Sequence, residues 1–453
     1  MGKVLKIRDL TLRDGQQSLF ATRLRQENID RLLPLYRKAG FYIMEVWGGD
    51  VLEVTMSCLD ESPWDRLRRC AKEMEGVSLL SALSRGRNLF GHVPYPEYVL
   101  DGFYKEAFRN GLNVMRIFDA NNNIEDIRDS VALINEYGGI ADVALCYMED
   151  PKAEPKPEPK KKGFFARLFG DDCDSDEPKP IFTDEYFVNK AKEMEALGAK
   201  IFTLKDMNGV VAPSRIYTLM PKLKHAVKIP VDFHTHSTFG YGLASALMAI
   251  IKGVDIVDTN IWWFAGGAAA PPIELIWLFC RKLELEIAVD MEAVAEIRKE
   301  LKTARIALAD YDSNADHLPH DFDEFLEKMP EEIDAQFRRA IDAASDNDEP
   351  QLLDACRRIE DYFGFPRPRK RSSKELTNLA TPYHIEEVSG GDADSSNEKI
   401  FREPANPELP EFGGVKLARN DEEFLLLELL PDVAERFLRK KRQEEFAYVE
   451  KNC

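Results

Sequence analysis

The sequence predicts a (β/α)8 TIM barrel followed by a mainly helical C-terminal domain. Two observations point to the barrel. Eight short apolar runs recur before residue 270, and each is followed by a polar or glycine-rich turn and then by apolar residues at helical spacing. Alternation of this kind makes parallel strands with helices outside them, and eight units favour closure over the alternative, a doubly wound open sheet. A third observation sets a boundary. Past residue 290 the strand-like runs stop and long charged helical patterns replace them. The prediction therefore divides the chain into a barrel domain at 1–290 and a helical domain at 291–453.

In order, the strand candidates are "VLKIRDLTLRD", "YIMEVWGG", "SLLSALSRG", "NVMRIFDANN", "ADVALCYMED", "KIFTLKDMNG", "PVDFHTHST" and "DIVDTNIWWF". Between the first two, "RQENIDRLLPLYRKAG" carries apolar residues at helical spacing and ends on glycine, and "FVNKAKEMEALGAK" does the same before the sixth. After the fifth candidate, Asp150–Pro180 interrupts the pattern with Pro, Lys, Glu and Asp, a composition that cannot bury a core. Within it, "KKKGFFARLFG" would place Phe164, Phe165, Leu168 and Phe169 on one face of a short helix. A disordered loop is the plain expectation; the sharper one is weak docking to an anionic membrane or a partner through 161–170. The stretch Ile261 to Cys280 is apolar enough to mimic a membrane span, but its Gly-Gly and Pro-Pro pairs would break a helix there. A buried strand, a turn and a helix are expected instead. Beyond residue 290, "DMEAVAEIRKELKTARIAL", "EEIDAQFRRAIDAA" and "LLDACRRIEDYFG" are predicted helices. Pro366–Pro410 is predicted as an extended connection, and "DEEFLLLELLPDVAERFLRKKRQEEFAYVE" as one last amphipathic helix.

Composition narrows the class. A 44% hydrophobic content is ample for a core, and a net charge of −19 disfavours a nucleic-acid partner, because phosphate contacts need clustered cations. The seven cysteines are odd in number and form no C-x-x-C pair, so a reduced, cytoplasmic chain is expected. The opening "MGKVLKIRDL" lacks the apolar segment of a signal peptide.

In a barrel of this kind chemistry gathers at the C-terminal strand ends. Asp14 is predicted to close the first strand, Lys205 the sixth, and His234 with His236 the seventh. Residues two apart on a strand point the same way, so both imidazoles face one space and Thr235 faces the other. Neutral imidazoles with a carboxylate suit zinc, manganese or cobalt; the alternative is a hydrogen-bonded polar pair. Lys205 is anomalous there, because an ammonium repels a cation; it fits as an anion's partner or as a carbamate. Arg13, Gln17 and Arg85 lie near the same strand ends, and arginine's planar fork suits carboxylates, the alternative being structural ion pairs. A metal beside arginines suggests an α-keto acid whose enolate the metal stabilises.

"LTLRDGQQSLFATRLR", "MEVWGG", "SRGRNLFG", "RIFDANN", "LKDMNG" and "HTHSTFGYG" resemble, in order across residues 5–280, the carboxyltransferase domain of biotin-dependent enzymes. That family includes pyruvate carboxylase, the oxaloacetate decarboxylase α subunit and the transcarboxylase keto-acid subunit. The closing "DEEFLLLELLPDVAERFLRKK" resembles the end of its helical domain, and 300–410 matches loosely. The resemblance implies that Asp14, His234 and His236 are metal ligands and Lys205 a carboxylated lysine ligand. It puts Arg13, Gln17 and Arg85 at keto-acid-binding positions, with Lys205, Arg13 and Gln17 in the catalytic machinery. The implied reaction moves a carboxyl group between biotin and the methyl carbon of an enolised keto acid such as pyruvate. Three departures stand out. The family's proton-relaying threonine is Ala268 here, within "AGGAAAPP"; a tyrosine common after the "RG-x-N" stretch is His92; and no M-K-M biotinylation sequence occurs.

Biotin is therefore expected on a separate biotin carrier protein, with a biotin carboxylase subunit or membrane decarboxylase subunits as further partners, which would make the protein peripheral to the membrane in the second case. A homodimer is expected by analogy with barrel enzymes of this kind. Two other functions stay open: a metal-dependent acyl-CoA lyase or synthase, whose "R-D-G-x-Q" opening and H-x-H pair are shared but whose members lack the "K-D-M" lysine, and a non-catalytic assembly or regulatory homologue, which Ala268 keeps in view.

Overall fold

The computed structural model describes residues 4–91, 93–150, 180–315, 317–366, 410–412 and 415–452. His92, the segment proposed for docking at 161–170 and most of the predicted connection at 366–410 lie outside the described residues.

Each of the eight runs supplies one strand: β1 (Lys6–Asp9), β2 (Ile43–Gly48), β3 (Leu79–Ser84), β4 (Val114–Phe118), β5 (Ile140–Cys146), β6 (Ile201–Asp206), β7 (Val231–Thr235) and β8 (Ile256–Thr259). They close into a parallel barrel in sequence order, with β8 returning to β1 through pairs such as Arg8↔Asp258. Strands covered on both faces are apolar over most of their length, and most of the charged residues they carry are buried and meet one another inside the barrel. The first predicted helix forms at Gln26–Ala39, burying Ile29, Leu32, Leu33 and Tyr36, and stops where Gly40 takes a left-handed conformation (φ 66°). The helix before β6 runs Asp184–Leu197; the Thr183 hydroxyl caps it by accepting from the Tyr186 amide.

Three local expectations are corrected. The first run does not stay extended to Asp14: β1 stops at Asp9, and Thr11–Gly15 form a π-helical turn leading into Gln16–Phe20. The Thr11 hydroxyl causes the turn to fold back, donating to Asp9 at 2.7 Å and accepting the Ile261 amide at 2.9 Å. No strand forms in 261–280; Trp262–Phe264 make a 3-10 turn, and the helix Ile273–Lys282 follows. Trp262 is held away from the barrel sheet because its indole N–H reaches the His320 carbonyl (2.8 Å) and its ring packs on Phe322, Phe363 and Phe365. The last helix is two, Asp421–Leu429 and Pro431–Asn452, because Pro431 brings no amide hydrogen to continue the first.

The C-terminal helices wrap the barrel. Met291–Ala307 packs on Gln26–Ala39, and Glu331–Asp346 on Gly242–Ile251. Asp421–Leu429 packs on Glu97–Arg109, where Tyr95 donates its hydroxyl to the Leu429 carbonyl at 2.6 Å. Asp150, the last described residue before the insertion, accepts the amides of Ile181 (2.8 Å) and Phe182 (3.1 Å) and so draws the two ends of the insertion together.

The barrel interior is charged. Arg8 and Arg116 sit among Glu45, Asp142, Asp232 and Asp258, all essentially inaccessible to solvent. Arg116 donates to Asp142 (2.9 Å), Asp232 (2.7 Å) and Asp258 (2.5 Å), binding β4 to β5, β7 and β8. Buried carboxylates without such partners would cost several kcal/mol each, and this lattice of ion pairs offsets part of that cost.

Candidate metal centre

The strand register brings the centre together. Lys205 on β6 pairs with His234 on β7, and its Nζ lies 3.2 Å from His234 Nε2. His236 follows β7 immediately; its ring lies 4.9 Å from that of His234, on the same side. Thr235 points the other way and donates to Asp206 at 3.0 Å. Asp14 reaches the pair from the π-turn. Ligand atoms of Asp14, His234 and His236 all lie within 4.8 Å of one another. Gly209 makes the crowding possible: its φ is 66°, and a Cβ there would stand 2.4 Å from the His236 carbonyl oxygen.

The donor set fits a divalent ion. His236 Nε2 and Asp14 Oδ2 face each other at 3.1 Å, and neither hydrogen-bonds any further described residue. Buried polar atoms are rarely left so. Two ligands on metal bonds of about 2.0–2.2 Å at a tetrahedral angle would stand about 3.3–3.6 Å apart, close to that separation. His234 makes its other contact through Nδ1, 2.7 Å from Asp258, which leaves Nε2 to the site.

The electrostatics favour ligation. Burial, then the nearby Lys205, hold His234 well below its usual range, so its imidazole is neutral. Burial alone would raise the Asp14 carboxyl, but His236 and Arg13 outweigh it and hold it low. Lys205 is pushed down by burial and then by Arg13, which enlarges the neutral-amine fraction. A neutral amine is the form that can add carbon dioxide.

Above the centre, at the C-terminal strand ends, a cavity of about 290 Å³ is lined by Arg13, Asp14, Gln17, Arg85, Lys205 and His236 among others. All six were candidates from sequence. Arg13, however, is also a structural ion-pair partner: its Nε donates to Glu45 at 2.6 Å and its Nη1 lies 3.1 Å from Asp14. Arg85 is exposed at the rim. Ala268 is half-buried in the loop between β8 and the following helix and does not line the cavity. The neighbouring Ala269 carbonyl accepts the Ser237 amide at 2.9 Å, so that loop is tied to the residue after His236. A larger hollow of about 920 Å³ lies at the opposite end of the barrel, around Tyr42, Ser78 and Asn113, away from every candidate.

Sequence reasoning missed Glu45, Arg116 and Asp258. Their signal was present: a charged residue stands in the middle of each of these otherwise apolar strands.

Residues 164–301 match the HMGL-like family. A pyruvate carboxylase subunit of Methanocaldococcus jannaschii is 32% identical over 295 residues, 65% of this chain and 47% of that protein. The methylmalonyl-CoA carboxyltransferase 5S subunit of Propionibacterium freudenreichii subsp. shermanii is 30% identical over 301 residues, 66% of this chain and 54% of that one. The chain thus spans about half the length of these curated relatives. A solved structure of the carboxyl transferase domain from Rhizobium etli pyruvate carboxylase with pyruvate superimposes with a TM-score of 0.64 at 26% identity, covering 96% of this chain and 76% of that one. The order of the eight strands, the helical region that follows them and these matches together make the chain a member of the HMGL-like carboxyltransferase-domain family, which includes pyruvate carboxylase and the 5S subunit of transcarboxylase.

Proposed function

We propose that the protein is the carboxyltransferase component of a biotin-dependent enzyme, moving a carboxyl group between biotin on a separate carrier and an enolised 2-keto acid such as pyruvate or oxaloacetate. The observation that carries this reading is the convergence of Asp14, His234, His236 and Lys205 at the base of a cavity lined by Arg13, Gln17 and Arg85. Asp14, His234 and His236 would hold zinc, manganese or cobalt, and Lys205 would join them as a carbamate. When bound, such an ion supplies Lewis-acid polarisation of a keto-acid carbonyl.

The chain's own residues do the rest. Arg85 and Gln17 offer hydrogen-bond donors to the substrate carboxylate at the cavity mouth. Arg13, fixed by Glu45, turns its remaining edge toward Asp14 and Gln17 and orients both. Ala268 has no proton to give, so a water or another side chain carries the proton that passes between biotin and the enol. Residues 1–290 form the catalytic unit and 291–453 the helical one. The working assembly is a homodimer in a reducing cytoplasm, joined by a biotin carrier protein and either a biotin carboxylase subunit or membrane decarboxylase subunits. The five described cysteines are unpaired, and no helix among the described residues is long and apolar enough to cross a membrane.

Incubating the purified protein with oxaloacetate and free biotin tests the reading. Pyruvate should appear at a rate that rises with biotin. Release that needs an acyl-CoA instead would support the lyase reading, against which the "K-D-M" lysine Lys205 already argues. Bound metal without turnover would support the assembly homologue, the reading that Ala268 favours.

A further inference from the structure

Asp258 is not among the groups that line the cavity, yet it touches the centre. Its Oδ2 lies 2.7 Å from His234 Nδ1, and both side chains are wholly buried. Continuing the β7–β8 register, in which Asp232 meets Ile256 and Phe233 meets Val257, sets Asp258 level with His234. Both carboxylate oxygens of Asp258 are taken by Arg116, at 2.5 and 3.2 Å. Arg116 is itself anchored by Asp232 at 2.7 Å and Asp142 at 2.9 Å. Asp258 therefore has no room to swing.

We infer that Asp258 is a positioning residue of the centre: it fixes the His234 ring with the proton on Nδ1 and the Nε2 lone pair turned toward Asp14, His236 and Lys205, and Arg116 fixes Asp258 in turn. The inference rests on the metal-centre reading above and adds the group that makes His234 a competent ligand. A carboxylate can only accept, so an N–H must stand on the nitrogen facing it. An asparagine offers both an oxygen and an N–H, and by presenting the N–H would move the ring proton to Nε2, where it blocks ligation. Carboxylates bonded to metal-bound histidines act in this way, and losing one weakens metal binding by about 10–100-fold.

Cobalt titration of the full-length protein, followed by the visible ligand-field bands, tests the assignment. Wild type should bind with a defined spectrum, and Asp258→Asn should bind about 10–100-fold more weakly with shifted bands. Glu274→Gln is the control, because Glu274 is equally buried but pairs with Arg298 at 3.1 Å, outside the network of Arg116 and Asp258; it should keep wild-type affinity and spectrum even if it loses stability. Wild-type binding in Asp258→Asn, or an equal loss in both variants, overturns the positioning role. Failure of wild type to bind cobalt overturns the metal reading itself. If Asp258→Asn does not fold, long-range 1H–15N correlation on histidine-labelled wild type, assigned with His234→Gln, decides the matter. An Nδ1–H tautomer at His234 supports the inference, and an Nε2–H tautomer overturns it.

Discussion

Lys205 sits in the most demanding surroundings of any residue at the centre. It is buried, beside Arg13 and 3.2 Å from an imidazole nitrogen, an arrangement hostile to a permanent ammonium. Lys205→Arg keeps a cation and removes the amine that could become a carbamate. It should lower biotin-dependent turnover by about 10²-fold or more, with no rescue by bicarbonate, since even outer-shell changes cost 10–100-fold; turnover near wild type would exclude a ligand role for the lysine. Asp9 makes a second residue-scale prediction. Burial pushes its carboxyl up to about 7, against hydrogen bonds from Thr11 that pull it down. The folded state thus holds a proton that the unfolded chain, at 3.8, has released. This contribution to stability is complete at low pH and is lost as pH rises toward 7. Asp9→Asn cannot ionise, so its melting temperature should gain on wild type between pH 5 and 8; a constant difference across that range would contradict the assignment. At this scale the candidate ligands that the fold brings together were legible, because Asp14, Lys205 and the two histidines stand beside glycine-rich turns. The roles of Glu45, Arg116 and Asp258 were not, because each depends on partners from strands distant in sequence.

The elements around the centre are shaped by a few close approaches. The π-turn at Thr11–Gly15 carries Asp14 inward, a placement that the apolar run alone misassigned to a strand. Such turns recur at functional sites because they re-aim one side chain without ending the chain's path. The loop after β6 presses against the end of β7 at Gly209, where there is neither space nor a suitable φ for a side chain. Gly209→Ala should cost about 1–3 kcal/mol in urea unfolding and weaken metal binding, as the loop moves off His236. Unchanged stability and unchanged affinity would mean that the contact is slack. Helices at Gln26–Ala39 and Asp184–Leu197 were legible from apolar spacing and a closing glycine. The 3-10 turn at Trp262 was not, because the cluster of Phe322, Phe363 and Phe365 that holds it lies far along the chain.

Across the whole molecule, eight apolar runs became eight strands in order, since strands covered on both faces leave a strong signal. The way the C-terminal helices wrap the barrel was less legible. Their apolar faces announce burial but not a partner, and the helix Asp421–Leu429, with Leu425, Leu426 and Leu429 buried, packs on a barrel helix more than 300 residues earlier. The fold brings Asp14, Lys205, His234 and His236, from three separated stretches of sequence, to one end of the barrel beneath one cavity. The central claim is that this convergence is a metal site in a carboxyltransferase. Elemental analysis of purified wild type beside His236→Ala tests it most directly. The account predicts about one tightly held divalent ion per chain in wild type and a large loss in the variant, with both still folded by circular dichroism. Wild-type protein free of metal after exposure to zinc, manganese and cobalt, or a variant that holds metal as firmly as wild type, would contradict it.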